Sequence, residues 1–263
     1  MSLVASGPEE LWLEPTPGER RLAYRTGFER TASGDVVWRG RFADGDPGYA
    51  GITLSIHGGV LVGSLRTPEG RAYVLEPHAA GEWELRTEEA IAFACEVGRE
   101  RPAALAQALE APVEPDLAAA DAVAAGGESR KVGILVVYTA AAARTFGLSE
   151  TDDGRERFVA RAFHNVDRLN SAWINSGIDG RAILVGAEEI DADVVRRAEG
   201  NDRIRALRDQ RGADVVSVVM GAEEANVACG VANLMNRSRV GPQMAPIAFH
   251  YIGGQLSREG TEA

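Results

Sequence analysis

The stretch KVGILVVYT (131–139), followed by AAAARTFG (140–147), decides the fold class. A nearly continuous apolar run bounded by polar residues marks a strand buried on both faces, as in a parallel sheet. Downstream, RERFVARAFHNVDRLNSAWINSG (155–177) spaces Phe158, Ala162, Val166, Leu169 and Trp173 three and four positions apart. That spacing predicts one apolar stripe on a long amphipathic helix, with Gly177 in the C-terminal capping role. RAILVGAEEI (181–190) reads as the next strand, and NDRIRALRDQRG (201–212) as a helix opened by Asn201 or Asp202 and closed by Gly212. ADVVSVVM (213–220) is a third buried strand. The order β-α-β-α-β implies a mixed or parallel sheet with helices packed on it.

Upstream of this block the period changes. From about residue 35 to 86 the chain runs in short β-forming segments: DVVWRGRF (35–42), AGITLSI (50–56), VLVGSLR (60–66), RAYVLEP (71–77) and EWELR (82–86). Gly- and Pro-bearing breaks separate them, which predicts an antiparallel meander of about five strands. RTPEGRAY (66–73) is a hairpin signal, with Pro at the second turn position and Gly near its end. Between the two blocks, residues 100–129 are rich in Ala, Pro, Glu and Gly and read as a flexible connector. The expected division is therefore a β-rich module over 1–99, a linker over 100–129 and a second unit over 130–263.

Bulk properties narrow the function. The chain has 263 residues, is 45% hydrophobic and carries a formal net charge of -11. It shows no cluster of basic residues, which argues against nucleic acid or an anionic membrane surface as partner. No stretch approaches the ~18 apolar residues of a membrane span. The first residues, MSLVASGPEELWLEP (1–15), show neither a basic leader nor an apolar core of signal-peptide type, which taken alone predicts a cytoplasmic protein.

Candidate chemistry is sparse. Neither GxGxxG nor GxxxxGK[ST] occurs, and the turn after ILVVYT has no glycine to let backbone amides approach a phosphate. A GxSxG elbow is also missing. The histidines are His57, His78, His164 and His250; no two lie closer than 21 positions and none is followed by Glu. A zinc site built on helical i, i+4 ligands is therefore not written in this sequence, and surface or internally satisfied histidines are the expectation. His164 lies beside the apolar stripe of the long helix. Glu188–Glu189 and Asp152–Asp153 are expected on solvated faces or at caps. Cys229, in NVACGVANLM (226–235), follows the third strand, where α/β folds often carry function. It is a candidate thiol nucleophile if His164 or His250 could activate it, or else a structural or disulfide-forming cysteine. Cys95 lies in an apolar run, AIAFACEVGRE (90–100).

The succession KVGILVVYTAAAAR, LNSAWINSGI, RAILVGAEEI, LRDQRGADVVSVVM and ACGVANLM resembles the reprolysin-like zinc metallopeptidases of the metzincin group, in particular the bacterial branch with peptidyl-Asp-type metalloendopeptidases. The upstream meander is similar to the propeptide of that family, through a W.G strand, a G..TLSI..G.L.GS pair and an R.Y.L.P strand. The resemblance implies a small antiparallel β propeptide module followed by a metzincin-like mixed sheet with a long packed helix, an α+β or α/β class. It also implies secretion, zinc as cofactor and peptide or protein substrates in full-length relatives. The family's H-E-x-x-H-x-x-G-x-x-H would follow the CG turn; in its place the sequence reads NRSRVGPQMAPIAFHYIGGQLSREGTEA (236–263). The expectation is a core that holds to Met235 and a polar, aperiodic end, with the zinc helix lost and no zinc bound by this chain. By the same resemblance, Cys229 is an orphan of a family disulfide, and Cys95 a candidate propeptide thiol able to cap a zinc. The alternative reading is a non-catalytic binding or inhibitory protein.

Overall fold

The computed structural model describes residues 2–31, 33–46, 51–77, 82–88, 130–145, 152–195, 201–221, 230–232 and 249–254. It has a mixed α+β architecture with two sheets. The first is a seven-stranded antiparallel meander in sequential order: β1 (Glu10–Thr16), β2 (Glu19–Arg30), β3 (Val36–Phe42), β4 (Ile52–His57), β5 (Val60–Arg66), β6 (Ala72–Pro77) and β7 (Trp83–Glu88). A short helix, α1 (Ser2–Ala5), precedes it. Five of these strands match the alternating segments; the β1–β2 hairpin does not follow from them. Its turn is Pro17–Gly18, with Gly18 at φ 82 between the paired residues Thr16 and Glu19. Pro followed by a residue that needs positive φ is the demand of a type II turn. In the predicted hairpin, Gly70 at φ 88 donates its backbone N–H to the Thr67 carbonyl at 2.8 Å.

The core of this sheet is built on Trp38, fully buried among Leu11, Phe42, Ile52, Leu54 and Leu65. Its indole Nε1 donates to the Pro8 carbonyl at 2.8 Å, so the one polar atom of the ring is satisfied inside the core. The ring lies over Gly40, where an added Cβ would come within 2.1 Å of it. This explains physically why a glycine stands two residues after the tryptophan.

The second sheet has the order β11-β12-β10-β8-β9. Its strands are β8 (Arg130–Tyr138), β9 (Gly180–Glu189), β10 (Val215–Gly221), β11 (Gly230–Ala232) and β12 (Phe249–Gly254). β8 pairs in parallel with both β9 and β10, β10 pairs in parallel with β12, and β11 is antiparallel to β12. The connecting helices are α2 (Ala140–Thr145), α3 (Asp152–Asn175), α4 (Ala192–Val195) and α5 (Asp202–Arg211). Alternate residues of β8 serve two cores. Ile134, Val136 and Tyr138 pack with Phe158, Ala162 and Val166 of α3, while Leu135 and Val137 pack with Ile204 of α5 and Val216 and Val218 of β10. A strand covered by helices on both faces is apolar wherever it is buried, which is the stretch ILVVY (134–138) within KVGILVVYT.

The helix ends follow the expected chemistry. The Asn201 side chain accepts from the N–H groups of Arg203 and Ile204, and Gly212 adopts the left-handed conformation at φ 62. At the end of α3, Gly177 (φ 67) donates to the Ile174 carbonyl and Ile178 to the Trp173 carbonyl. Two expectations are corrected. Leu169 is not on the buried stripe: it is 36% exposed, because it falls on the rim of an open groove of about 220 Å³ between α3 and β10. The sheet also continues past Met235, since 249–254 forms β12, with His250 opposite Ser217 and Ala232 in the ladders. The linker (100–129), and with it the boundaries at 99 and 129, lie outside the described residues.

Candidate functional site

Strand β4 is buried on both faces and alternates between them. Ile52, Leu54 and Ile56 face the core of the meander. Thr53, Ser55 and His57 face the other way and meet α3. Helix α3 is two-faced as well: Phe158, Ala162 and Val166 bind the mixed sheet, and His164, Asp167 and Ser171 form a polar row toward the meander. The result is a seam of buried polar groups joining the two sheets through one helix. Its buried residues are Arg39, Thr53, Ser55, His164, Asp167 and Ser171.

At the centre of the seam, Ser55 Oγ lies 3.0 Å from His164 Nδ1 and donates to Asp167 Oδ2 at 2.9 Å. Arg39 reaches across from β3. Its Nε donates to Ser171 Oγ at 3.1 Å, its Nη1 meets Glu29 Oε1 at 2.5 Å, and its Nη2 stands 4.0 Å from Asp167 Oδ1. Glu29 also pairs with Arg181 of β9, so one carboxylate of the meander is held by cations from both sheets. Toward the far end, His57 stacks on Phe163 with ring centroids 4.7 Å apart and pairs with Asp35 at 3.1 Å. Arg161 of α3 meets Glu76 of β6 at 2.5 Å.

Burial sets the charge states. The His164 imidazole is pushed down to about 3, first by burial and then by the neighbouring Arg168 and Arg161, so it is neutral at physiological pH. The Asp167 carboxyl is pushed up to about 7 by burial, against the hydrogen bond from Ser55 and the charge of Arg39. Burial also works against the charge of Glu29, but the hydrogen bond and charge of Arg39, with the charge of Arg181, outweigh it and hold that carboxyl below its ordinary range. His164 Nε2 has no hydrogen-bond partner among the described residues.

Ser55, His164 and Asp167 are the residue types of a nucleophilic triad, but their order is wrong for one. In a triad the histidine stands between serine and carboxylate so that it can take the serine proton. Here the serine stands between the other two, and all three are under 5% exposed. The cluster therefore fastens the meander to α3 and has no access for a substrate. Sequence spacing hides it, because 109 positions separate Ser55 from His164. The available signal was the run of polar Thr53, Ser55 and His57 alternating with Ile52, Leu54 and Ile56, which marks a polar second face but does not tell a protein partner from solvent.

The other candidates separate. His57 and His164 sit in different parts of the seam, and Cys95, Cys229 and His78 lie outside the described residues. Glu188 pairs with Arg211 and Glu189 with Arg155, so this acidic pair serves surface ion pairs as expected. No group of three His, Cys, Asp or Glu among the described residues could hold a metal. The described residues therefore do not fit a zinc ion. A missed role belongs to Asn170, whose side-chain amide donates to the Ala182 carbonyl at 2.9 Å and accepts from the Ala182 N–H at 2.7 Å. It clips α3 to β9 as a strand would.

No protein-family model matches the chain. Among solved structures, a chain described as part of a chaperone-substrate complex is similar over 76% of this chain and 24% of its own, at 12% identity and a TM-score of 0.38, too low to carry an argument about the fold. Among curated proteins, the chain is 30% identical over 152 residues to the peptidyl-Asp metalloendopeptidase of Pseudomonas aeruginosa. That alignment covers 52% of this chain and 24% of the relative, so the chain spans about a quarter of that protein's length. Over half of its length, the chain is distantly similar to a metallopeptidase.

Proposed function

We propose that this chain comprises the propeptide-like module and the upper part of the peptidase domain of a secreted, reprolysin-like zinc metalloendopeptidase. In this reading residues 1–99 are the pro-module, and the unit from 130 onward supplies the sheet and long helix on which a catalytic half is built. The observation that carries it is the similarity to a peptidyl-Asp metalloendopeptidase. The mixed sheet backed by a long helix and the separate antiparallel meander docked on that helix support it. Because no His-Glu pair occurs in the sequence, under this reading no peptide hydrolysis is expected from residues 1–263 by themselves. The test is zinc titration calorimetry of the purified chain beside a fluorogenic protein-cleavage assay. Neither stoichiometric zinc binding nor hydrolysis is expected; one tightly bound zinc with hydrolysis would overturn the reading that residues 1–263 lack the zinc chemistry.

The seam favours a second reading, that of a non-catalytic inhibitory protein. A meander that recognises a polar helix face with hydroxyls and an arginine could cover the same face of a related peptidase. Binding of the chain to a relative's peptidase domain, with loss of that domain's activity, would support it; no binding at micromolar concentration would remove it.

A further inference from the structure

Four elements close around the Ser55–His164–Asp167 cluster. β4 supplies Ser55, α3 supplies both titratable groups, β3 brings Arg39, and β2 brings Glu29 behind it. Arg181 of β9 pairs with Glu29, and Arg161, itself held by Glu76 of β6, and Arg168 flank His164 on its own helix. Ser55 has one hydroxyl proton and touches both partners, so two proton arrangements satisfy its two contacts. With Asp167 ionised, Ser55 donates to it and accepts from His164 Nδ1–H. With Asp167 protonated, Asp167 donates to Ser55, Ser55 donates to His164 Nδ1, and the imidazole proton resides on Nε2. Both arrangements keep every contact of the serine.

We propose that docking the meander on α3 shifts one proton from His164 to Asp167, so that an ion pair in water becomes a neutral, Ser55-bridged pair in the seam. The balance is simple: the imidazolium gives up a proton, the carboxylate gains one, and the net charge of the pair stays zero. The driving force is burial, because two separated charges cost several kcal/mol each in an interior and a hydrogen-bonded neutral pair does not. The unfolded groups have ordinary values of 6.5 for His164 and 3.8 for Asp167. The folded groups titrate near 3 and 7, so between pH 3.8 and 6.5 folding takes one proton at Asp167 and releases one at His164. The two linkages cancel, and the pair adds no pH dependence in that window. The meander thus stays fastened through mild acid, although its fastening is made of titratable groups. The seam behaves so whether or not the chain belongs to a peptidase.

The experiment is urea unfolding of the full chain from pH 4 to 6.5 for the wild type, Asp167→Asn, His164→Gln and the double variant. Ratios to the wild-type folding constant cancel the titrations that all four share. Asp167→Asn leaves the histidine linkage alone, so its ratio falls as pH is lowered, by about tenfold per pH unit. His164→Gln leaves the aspartate linkage alone, so its ratio falls by about tenfold per unit as pH is raised. The double variant has a flat ratio. An independent readout on the wild type uses imidazole ¹⁵N shifts: His164 stays neutral from pH 6.5 to 4, and its proton moves between the ring nitrogens as Asp167 titrates near neutrality. Flat ratios in both single variants, slopes of the same sign, or a His164 imidazole that titrates near 6.5 would each overturn the proposal.

Discussion

Replacing Arg39 with methionine tests what holds the two sheets together. Arg39 is 5% exposed and, among the described residues, is the one member of the meander that touches Glu29, Ser171 and Asp167 together. Removing one partner of a buried ion pair costs about 3–5 kcal/mol, because the charge left behind is uncompensated. Three features of the seam push this case to the lower end. Glu29 retains Arg181 and is 29% exposed in its side chain. Asp167, already at about 7, can take a proton instead of staying charged. Ser171 still donates to the Asp167 carbonyl at 2.9 Å and is not orphaned. Methionine fills the volume of the lost aliphatic stem, so no large cavity adds to the loss. The expected loss is therefore about 3 kcal/mol. The assay is native-state hydrogen exchange, read as the opening free energy of the amides of β3 and β4, with urea unfolding for the global value. A loss below about 1 kcal/mol would refute the reasoning, since desolvation of the pair would then offset its attraction and the hydroxyl contacts alone would fasten the seam.

Three further outcomes follow from local geometry. Gly40→Ala places a Cβ 2.1 Å from the Trp38 ring and 2.8 Å from the Tyr24 carbonyl oxygen. The ring cannot yield without giving up its bond to Pro8, so a loss of about 3 kcal/mol is expected by thermal unfolding monitored through Trp38. Asp35 is held below its ordinary value of 3.8: burial opposes its charge, but hydrogen bonds from Ser33, Gly58 and Thr31 and the proximity of His57 outweigh it. Its stabilising effect is complete above pH 3.8 and is lost as pH falls through the lower folded value. Asp35→Asn should then destabilise the chain at pH 7, and by progressively less as pH is lowered below 3.8, as measured by urea midpoints. Asn201→Ala removes the acceptor for two N–H groups at the start of α5 and should cost about 1 kcal/mol, visible as faster exchange of the Arg203 and Ile204 amides.

Much of the fold was legible because it depends on period and punctuation. KVGILVVYT identified an interior strand through its nearly continuous apolar run, and both ends of α5 were readable from Asn201 and Gly212. The β1–β2 hairpin escaped because β2 is half-buried without strict alternation, so its pattern carries little period-two signal. β12 escaped for a related reason: FHYIGG (249–254) is short and rich in glycine, and its pairing with β10 is decided by the partner strand. Leu169 kept the helical spacing of a core residue while lying where the groove opens, a distinction spacing alone does not contain.

The sequence by itself determined the two kinds of sheet, the buried strand β8, the helix ends and the absence of a His-Glu zinc motif, because each of these is a property of neighbouring residues or of composition. Only the tertiary structure decided that Ser55 would lie between His164 and Asp167, that Arg39 would bridge Glu29 and Ser171, and that an aspartate and a histidine would exchange their ordinary protonation ranges. These outcomes come from groups more than a hundred positions apart meeting away from water, where the energy of a charge depends on its surroundings and not on its place in the chain.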